Sequence, residues 1–315
     1  MATRFGLLWI CLAILTSVKA QCPADSVFTY MIVSGTNKVA SAEYYLYNDQ
    51  DSLIQYTLTD FISGTAVPQS ENNFSYIKTK TGRKVIMETK VWNQDRGSFK
   101  PIRRHTREFD KQNKLISEVS EKYLNQSGTD NWEFEVKIAH HYSKTGEEIK
   151  TEMFTWSDQQ WVTTQRIQFV YHDSKVHEIS TEIRDTAMNS WLNDSKILCV
   201  YDSTGNLYSK TFYSWKNEAW IPVERTVLGK ENGKPVNWIF EQEWNCSKQN
   251  WVNKYYHVME LNPDGTTRVE VHLTWTGKDW EINETYQFVY TESGDLRQIK
   301  NQDGAVLVDR YCRNL

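Results

Sequence analysis

Phe99, Trp132, Trp161, Trp191, Trp220, Trp251 and Trp280 follow one another at intervals of 33, 29, 30, 29, 31 and 29 residues. A period of that size means one supersecondary unit per copy, and such a unit must stack on its neighbours to be stable, so the chain folds as an array. A second aromatic stands ten residues after five of these, at Phe109, Tyr142, Tyr171, Tyr201 and Tyr290. Ten is even, so in an uninterrupted strand both members of a pair point to one face. In a helix they would lie about 80° apart with nothing regular between them.

The residues between the pairs alternate as a strand requires. In the last unit Trp280, Ile282, Tyr286, Phe288 and Tyr290 are set against Glu281, Asn283, Thr285 and Gln287. Near Trp132 the apolar set is Phe134, Val136, Ile138 and Tyr142. Period two with aromatic and β-branched enrichment predicts strands with one apolar and one wet face. Turn chemistry follows each strand. Tyr142, Tyr201, Leu261 and Tyr290 are each followed four residues later by Gly146, Gly205, Gly265 and Gly294, and Asn113 holds the same place in its unit. This is the pattern of a type I turn closed by a left-handed residue. Ten residues beyond Gly146, Gly205 and Gly265 stand Trp156, Trp215 and Trp275. A four-residue polar spacer then leads to Trp161, Trp220 and Trp280. Each unit therefore reads strand, Trp-flanked turn, strand, glycine turn.

The expected fold is all-β, a long antiparallel meander of ~30-residue two-strand repeats, with roughly twenty strands of about 33 Å each. Open sheets of that many strands are not flat, because twist accumulates. The favoured form is a solenoid-like curled sheet, and the alternative is a closed β-barrel. A membrane barrel also alternates over ten residues, but its loops at one end are usually long. Here both sets of turns are short, and a stretch such as His177 to Arg184 cannot present a clean lipid face.

Residues 1–20 read as a signal peptide, with Arg4 at the charged start, an apolar run from Phe5 to Leu15 and Val18-Lys19-Ala20 before the cut. The chain is therefore expected to be exported, whether to the periplasm, the cell surface or the medium, and no second run is apolar enough for a transmembrane helix. The remaining divisions are an N-terminal segment over 21–39, the repeat domain over 40–300 and a C-terminal strand or tail over 301–315. Without Arg4 and Lys19, the 36 basic residues fall to 34 against 40 acidic ones, a net charge of −6 that argues against a nucleic-acid partner. The basic group Lys100, Arg103, Arg104, His105 and Arg107 reads as the solvated face of a strand. Cys22, Cys199, Cys246 and Cys312 remain after cleavage of the leader, and four cysteines allow three pairings. Cys199 sits at the glycine-turn end of its strand and Cys246 in a Trp-flanked turn, so a bond between them is not expected. Cys22 and Cys312 can meet only if the array closes into a ring.

The Trp156-x4-Trp161, Trp215-x4-Trp220 and Trp275-x4-Trp280 pairs and the Tyr-x3-Gly turns resemble the secreted tryptophan/tyrosine hairpin-repeat proteins of Bacteroidetes, a group whose function is uncharacterised. The resemblance spans roughly residues 40 to 300 and implies architecture rather than chemistry. Tyr201-Asp202-Ser-Thr-Gly205-Asn also resembles the Tyr-Asp repeat of cell-surface and toxin-shell proteins. The next Tyr-Asp is missing, since His172 follows Tyr171 and Thr291 follows Tyr290.

A catalytic reading needs an acid, base or nucleophile gathered at one place. The densest cluster, His172 to Glu178, lies across a hairpin turn without metal-ligand spacing, and His140 and His141 point to opposite faces of one strand. No nucleophile elbow, phosphate loop, dinucleotide fingerprint or Cys-x-x-Cys is present. The sequence thus predicts a non-enzymatic structural or interaction protein with no cofactor and no metal, whose partner is a protein or a polysaccharide. The alternative is a carbohydrate-binding protein with Trp156, Trp161, Trp215, Trp220, Trp275 and Trp280 as stacking platforms. Trp pairs that flank a short turn also stabilise hairpins by packing cross-strand.

Overall fold

The computed structural model describes residues 24–33, 36–126, 129–230 and 236–312. Its first ten strands are β1 (Ala24–Val33), β2 (Thr36–Tyr47), β3 (Leu53–Ile62), β4 (Thr65–Lys78), β5 (Gly82–Asn93), β6 (Ser98–Asp110), β7 (Leu115–Gln126), β8 (Thr129–Tyr142), β9 (Glu148–Ser157) and β10 (Gln160–His172). The remainder are β11 (Lys175–Asp185), β12 (Ser190–Tyr201), β13 (Leu207–Lys216), β14 (Ala219–Lys230), β15 (Val236–Asn245), β16 (Asn250–Leu261), β17 (Thr267–Trp275), β18 (Trp280–Tyr290), β19 (Leu296–Asn301) and β20 (Val306–Cys312).

Each strand pairs antiparallel with the next, and β1 pairs with both β2 and β20, through Val27 opposite Arg310 and Phe28 opposite Asp309. The meander is therefore a closed ring, the barrel form of the expected sheet and not its open form. Twenty strands about 4.8 Å apart, tilted by ~35–45°, would enclose a wall about 40 Å across if its section were circular. The leader over 1–20 and the Cys22 side of the Cys22 to Cys312 pairing lie outside the described residues. Cys199 is buried in β12 and Cys246 exposed between β15 and β16, and neither is in a disulfide.

Two kinds of turn alternate around the rims. On the Trp-bearing rim, Asp158-Gln159 and Asn217-Glu218 are left-handed at both positions (φ 49 and 60°, 50 and 60°), the two-residue turn whose twist matches antiparallel strands. On the other rim Gly205 (φ 85°) closes its turn by donating to the Asp202 carbonyl at 2.9 Å, while the Asp202 side chain accepts from the amides of Thr204 and Asn206. Asn113 does the same work at φ 63°.

One feature overturns the parity read from the sequence. In β6, β8, β10, β12, β14, β16 and β18 the register slips at Ile102, Glu135, Thr164, Asp194, Val223, Lys254 and Asn283, each three residues after the rim aromatic. A β-bulge inserts one unpaired residue and so inverts the alternation beyond it. Residues ten apart therefore sit on opposite faces. Trp161 lies on one face, here the Trp face, and Tyr171 on the other, the Tyr face.

Among the described residues all strands belong to one sheet, with no second layer of strands behind the wall. Among the described residues the buried ones are Ala42, Ile197, Cys199, Thr59, Glu121, Thr181, Ser195, Ser209, Gln242 and Asp309, of which seven are polar. The tightest packing is on the Tyr face of β10 to β12, where Thr181 pairs with Ser195 and Ile179 with Ile197. At β15 to β18 the wall bends around its Trp face. Phe240 and Trp280, three strands apart and thus about 14 Å apart in a flat sheet, bring their ring centroids to 5.8 Å.

Candidate functional site

The six tryptophans singled out from the sequence form three separate cross-strand pairs. Trp156 faces Trp161, Trp215 faces Trp220 and Trp275 faces Trp280 in direct register, with ring centroids 5.0, 4.9 and 5.2 Å apart and planes inclined by 60–68°. All six are half-buried. Inclined rings in mutual contact are the edge-to-face packing that aromatic quadrupoles favour. Phe134 packs on both Trp156 and Trp161, and Phe240 and Tyr256 pack on Trp280.

Three more rim pairs belong to the series: Trp92 with Phe99, Tyr123 with Trp132, and Trp244 with Trp251, at 5.2 to 5.3 Å. Their turns are longer, so the six-residue spacing of Trp92 and Phe99, or of Trp244 and Trp251, hides a pairing as direct as the others. A further regularity lies five residues after each rim aromatic. Arg104, Lys137, Arg166, Lys196 and Arg225 occupy that place in five successive even strands. Arg104 lies over Trp132, Arg166 over Trp191, Lys196 over Trp220 and Arg225 over Trp251, at 4.5 to 4.8 Å from the rings. Arg104 also grips the buried Glu121 with two N–H donors at 2.6 and 2.7 Å, Arg166 pairs with Glu182, and Arg225 donates to Gln242. Of the basic group around residue 104, Arg103, Arg104, His105 and Arg107 are thus ion-paired, and Arg104 also lies over a ring.

On the opposite rim the tyrosines cap the wall. The hydroxyls of Tyr76, Tyr142, Tyr171, Tyr201 and Tyr290 donate to the carbonyls of Leu53, Leu115, Glu148, Val176 and Thr267 at 2.8 to 3.0 Å. Each acceptor immediately precedes a slip of register, at Ile54, Ile116, Ile149, His177 and Arg268. The phenol thus bonds a carbonyl beside the interrupted ladder, which explains why the second aromatic is tyrosine in four of the five units, Phe109 being the exception.

The titratable groups gather in two places that the sequence reading did not find, both on the Tyr face. In the first, Glu118 of β7 accepts from His105 Nε2 at 3.0 Å and Arg107 Nε at 2.9 Å, with His140 Nε2 at 3.4 Å in charge contact. His140 Nδ1 is 2.6 Å from Glu148. Bonds from His105, His140 and Arg107 hold Glu118 well below the usual carboxylate range despite its burial. Burial alone would lower His140, but the carboxylates of Glu118 and Glu148 outweigh it and push the imidazole up to about 9. His141 bonds Glu152 on the other face, as the alternation requires.

In the second, ten strands further round the ring, His272 Nε2 lies 2.7 Å from Glu270 Oε1, and His257 Nδ1 lies 3.9 Å from the same oxygen. The two imidazole rings meet with centroids 4.3 Å apart and planes inclined by 46°. His257 is raised by Glu270 against the cost of burial, and Glu270 is lowered by His257 and His272. His272 Nδ1 faces Glu284 at 3.9 Å, and the Tyr286 hydroxyl donates to Glu284, which with burial pushes that phenol up to about 12. His105 and His257 stand six residues after Phe99 and Trp251, and Glu118 and Glu270 three residues into their strands. The clusters thus occupy equivalent repeat positions; in the units between them, counted from the rim aromatic, the histidine place holds Ile138, Ile167, Ile197 and Thr226, and the glutamate place Thr151, Ser180, Lys210 and Ile239. His172 and His177, the pair across the predicted turn, meet at 4.8 Å against Tyr201.

No protein-family model and no curated protein matches the chain. Among solved structures it is similar to a protein of unknown function from Bacteroides fragilis, with 10% identity and a TM-score of 0.27 over 48% of this chain and 91% of that one. It is similar to a porin-like protein from Bacteroides uniformis, with 6% identity and a TM-score of 0.34 over 76% and 95%. A match to the TcdB2-TccC3 structure has 11% identity and a TM-score of 0.37 over 89% of this chain and 16% of that one. These structural neighbours include Bacteroides proteins of unknown function.

Proposed function

We propose that this chain is an exported, non-catalytic barrel that stands in water on both faces and acts as a scaffold or interaction surface. The observation that carries the reading is the placement of charge. Ion pairs lie mid-strand on the Trp face at Arg104–Glu121 and Arg166–Glu182, and in the half of the strands next to the Tyr rim on the Tyr face at Arg107–Glu118 and His140–Glu148. A lipid-embedded barrel needs a continuous apolar band about 25 Å tall on its outer face, with aromatic girdles at both ends of that face. Here the two aromatic rims lie on opposite faces. The carbohydrate alternative draws less support, because Lys196, Phe134, Phe240 and Tyr256 already cover rings that a sugar would need.

The test is to prepare the chain without residues 1–20 in detergent-free buffer, and to measure sedimentation, flotation with liposomes and iodide quenching of tryptophan during titration with soluble glycans. A monodisperse protein that neither floats nor responds to glycans is expected. Detergent-dependent solubility or co-flotation would overturn the aqueous barrel, and a glycan that protects the tryptophans would establish the carbohydrate reading instead.

A further inference from the structure

We propose that His257, Glu270 and His272 form a binding site for one divalent transition-metal ion of the Zn2+ class, which would tie β16 to β17. One ligand atom from each residue lies within 4.8 Å of the other two. A tetrahedral ion at 2.0–2.2 Å from nitrogen and oxygen ligands needs them about 3.3–3.6 Å apart. The separations of 2.7 Å for His272 to Glu270 and 3.9 Å for His257 to Glu270 bracket that value, so small side-chain rotations suffice. Two imidazoles and a carboxylate suit zinc and its neighbours and do not suit calcium or magnesium, which prefer all-oxygen sets.

Three features of the surroundings favour a cation. His272 presents Nε2 inward while its Nδ1 faces Glu284, itself bonded by Tyr286, the carboxylate–histidine arrangement that orients metal-ligating imidazoles. The side chains of the three residues are 25 to 27% exposed, which leaves a coordination position to water, and a shallow groove lined by Glu241, Tyr255, His257 and His272 gives access. Among the described residues, Glu270 and Glu284 are ion-paired only with imidazoles, with no lysine or arginine. The equivalent cluster at His105 and Glu118 supplies the contrast, because Arg107 sits on the same Glu118 oxygen as His105 and takes the place of an ion.

Isothermal titration of chelator-treated protein with ZnCl2 near neutral pH should show one site. Each of His257→Ala, His272→Ala and the near-isosteric Glu270→Gln should weaken it by at least about 100-fold, more than loss of an outer partner costs. Glu284→Gln should weaken it by about 10-fold, and His105→Ala should leave it unchanged. Far-UV circular dichroism confirms that each variant is folded, and Glu270→Gln alone decides the matter if the histidine variants are not. Absence of a one-to-one event at millimolar zinc, or a site that Glu270→Gln leaves intact, would overturn the proposal.

Discussion

Replacing Tyr142, Tyr201 and Tyr290 together by phenylalanine removes three hydroxyls and leaves the aromatic rims in place. Each hydroxyl is the donor of one hydrogen bond of 2.8 to 2.9 Å to a backbone carbonyl beside a bulge, and each ring is half-buried. A bond of this kind contributes about 0.5–1.5 kcal/mol net, toward the upper end where the carbonyl is left unsatisfied. The three sites lie on β8, β12 and β18, four and six strands apart, about 19 Å or more, so their effects should add. The triple variant should therefore lose about 3 kcal/mol. At about 2.1 cal/mol/K per residue, the chain of 315 residues has an unfolding entropy of roughly 0.7 kcal/mol/K, so the loss corresponds to a Tm lower by about 5 °C. Differential scanning calorimetry reads that shift, and hydrogen exchange should place the lost protection in the strand starts at Leu115, Val176 and Thr267. A triple variant within about 1 °C of the parent would refute the capping role, as would protection lost evenly around the ring.

The His140 cluster gives stability a pH dependence of known sign. An imidazole raised to about 9 stabilises fully below its unfolded pKa near 6.5, and that contribution, on the order of 3 kcal/mol, is lost as pH rises toward 9. Urea unfolding across that window should show the decline, and His140→Gln should flatten it. Below the unfolded carboxylate pKa the depressed Glu118 acts in the opposite sense, so stability also falls as the solution is acidified. A double-mutant cycle on Trp215 and Trp220 should return a coupling of about 0.5–1.5 kcal/mol; a value near zero would remove the hairpin-locking role. Gly229 lies beneath Trp238, whose ring a Cβ would meet at 2.1 Å, so Gly229→Ala should displace that ring and cost about 1–3 kcal/mol. Its readout is the near-ultraviolet tryptophan signal together with the urea midpoint.

Much of the wall could be read in the sequence because its signals are local. The Trp-x4-Trp spacing places two aromatics opposite each other across a two-residue turn, and Tyr-x3-Gly announces the bulged turn that follows. The faces could not be read, because a bulge has no composition of its own. Ile102, Glu135, Thr164, Asp194, Val223, Lys254 and Asn283 share nothing but position, and one unpaired residue inverts every side chain beyond it. The +5 cations and the His–Glu pairs were obscured for the same reason. With the parity wrong, Arg166 and Trp191, or His257 and His272, are not expected to meet.

Closure depends on partners about 280 residues apart, and no periodicity within the repeat encodes that pairing. It rests on β1 against β20, through contacts such as Phe28 opposite Asp309, and on β19 against β20. Removal of residues 306–315 should leave β1 and β19 as open edges with unpaired backbone groups, and such edges pair with other chains. The local hairpins would survive, since their rim pairs and tyrosine caps lie within or between consecutive strands. The expected outcome is unchanged β circular dichroism with a monomer converted to higher oligomers in sedimentation. A truncated chain that stays monomeric would mean that the ring is held by its curvature alone and that the β1–β20 seam contributes little.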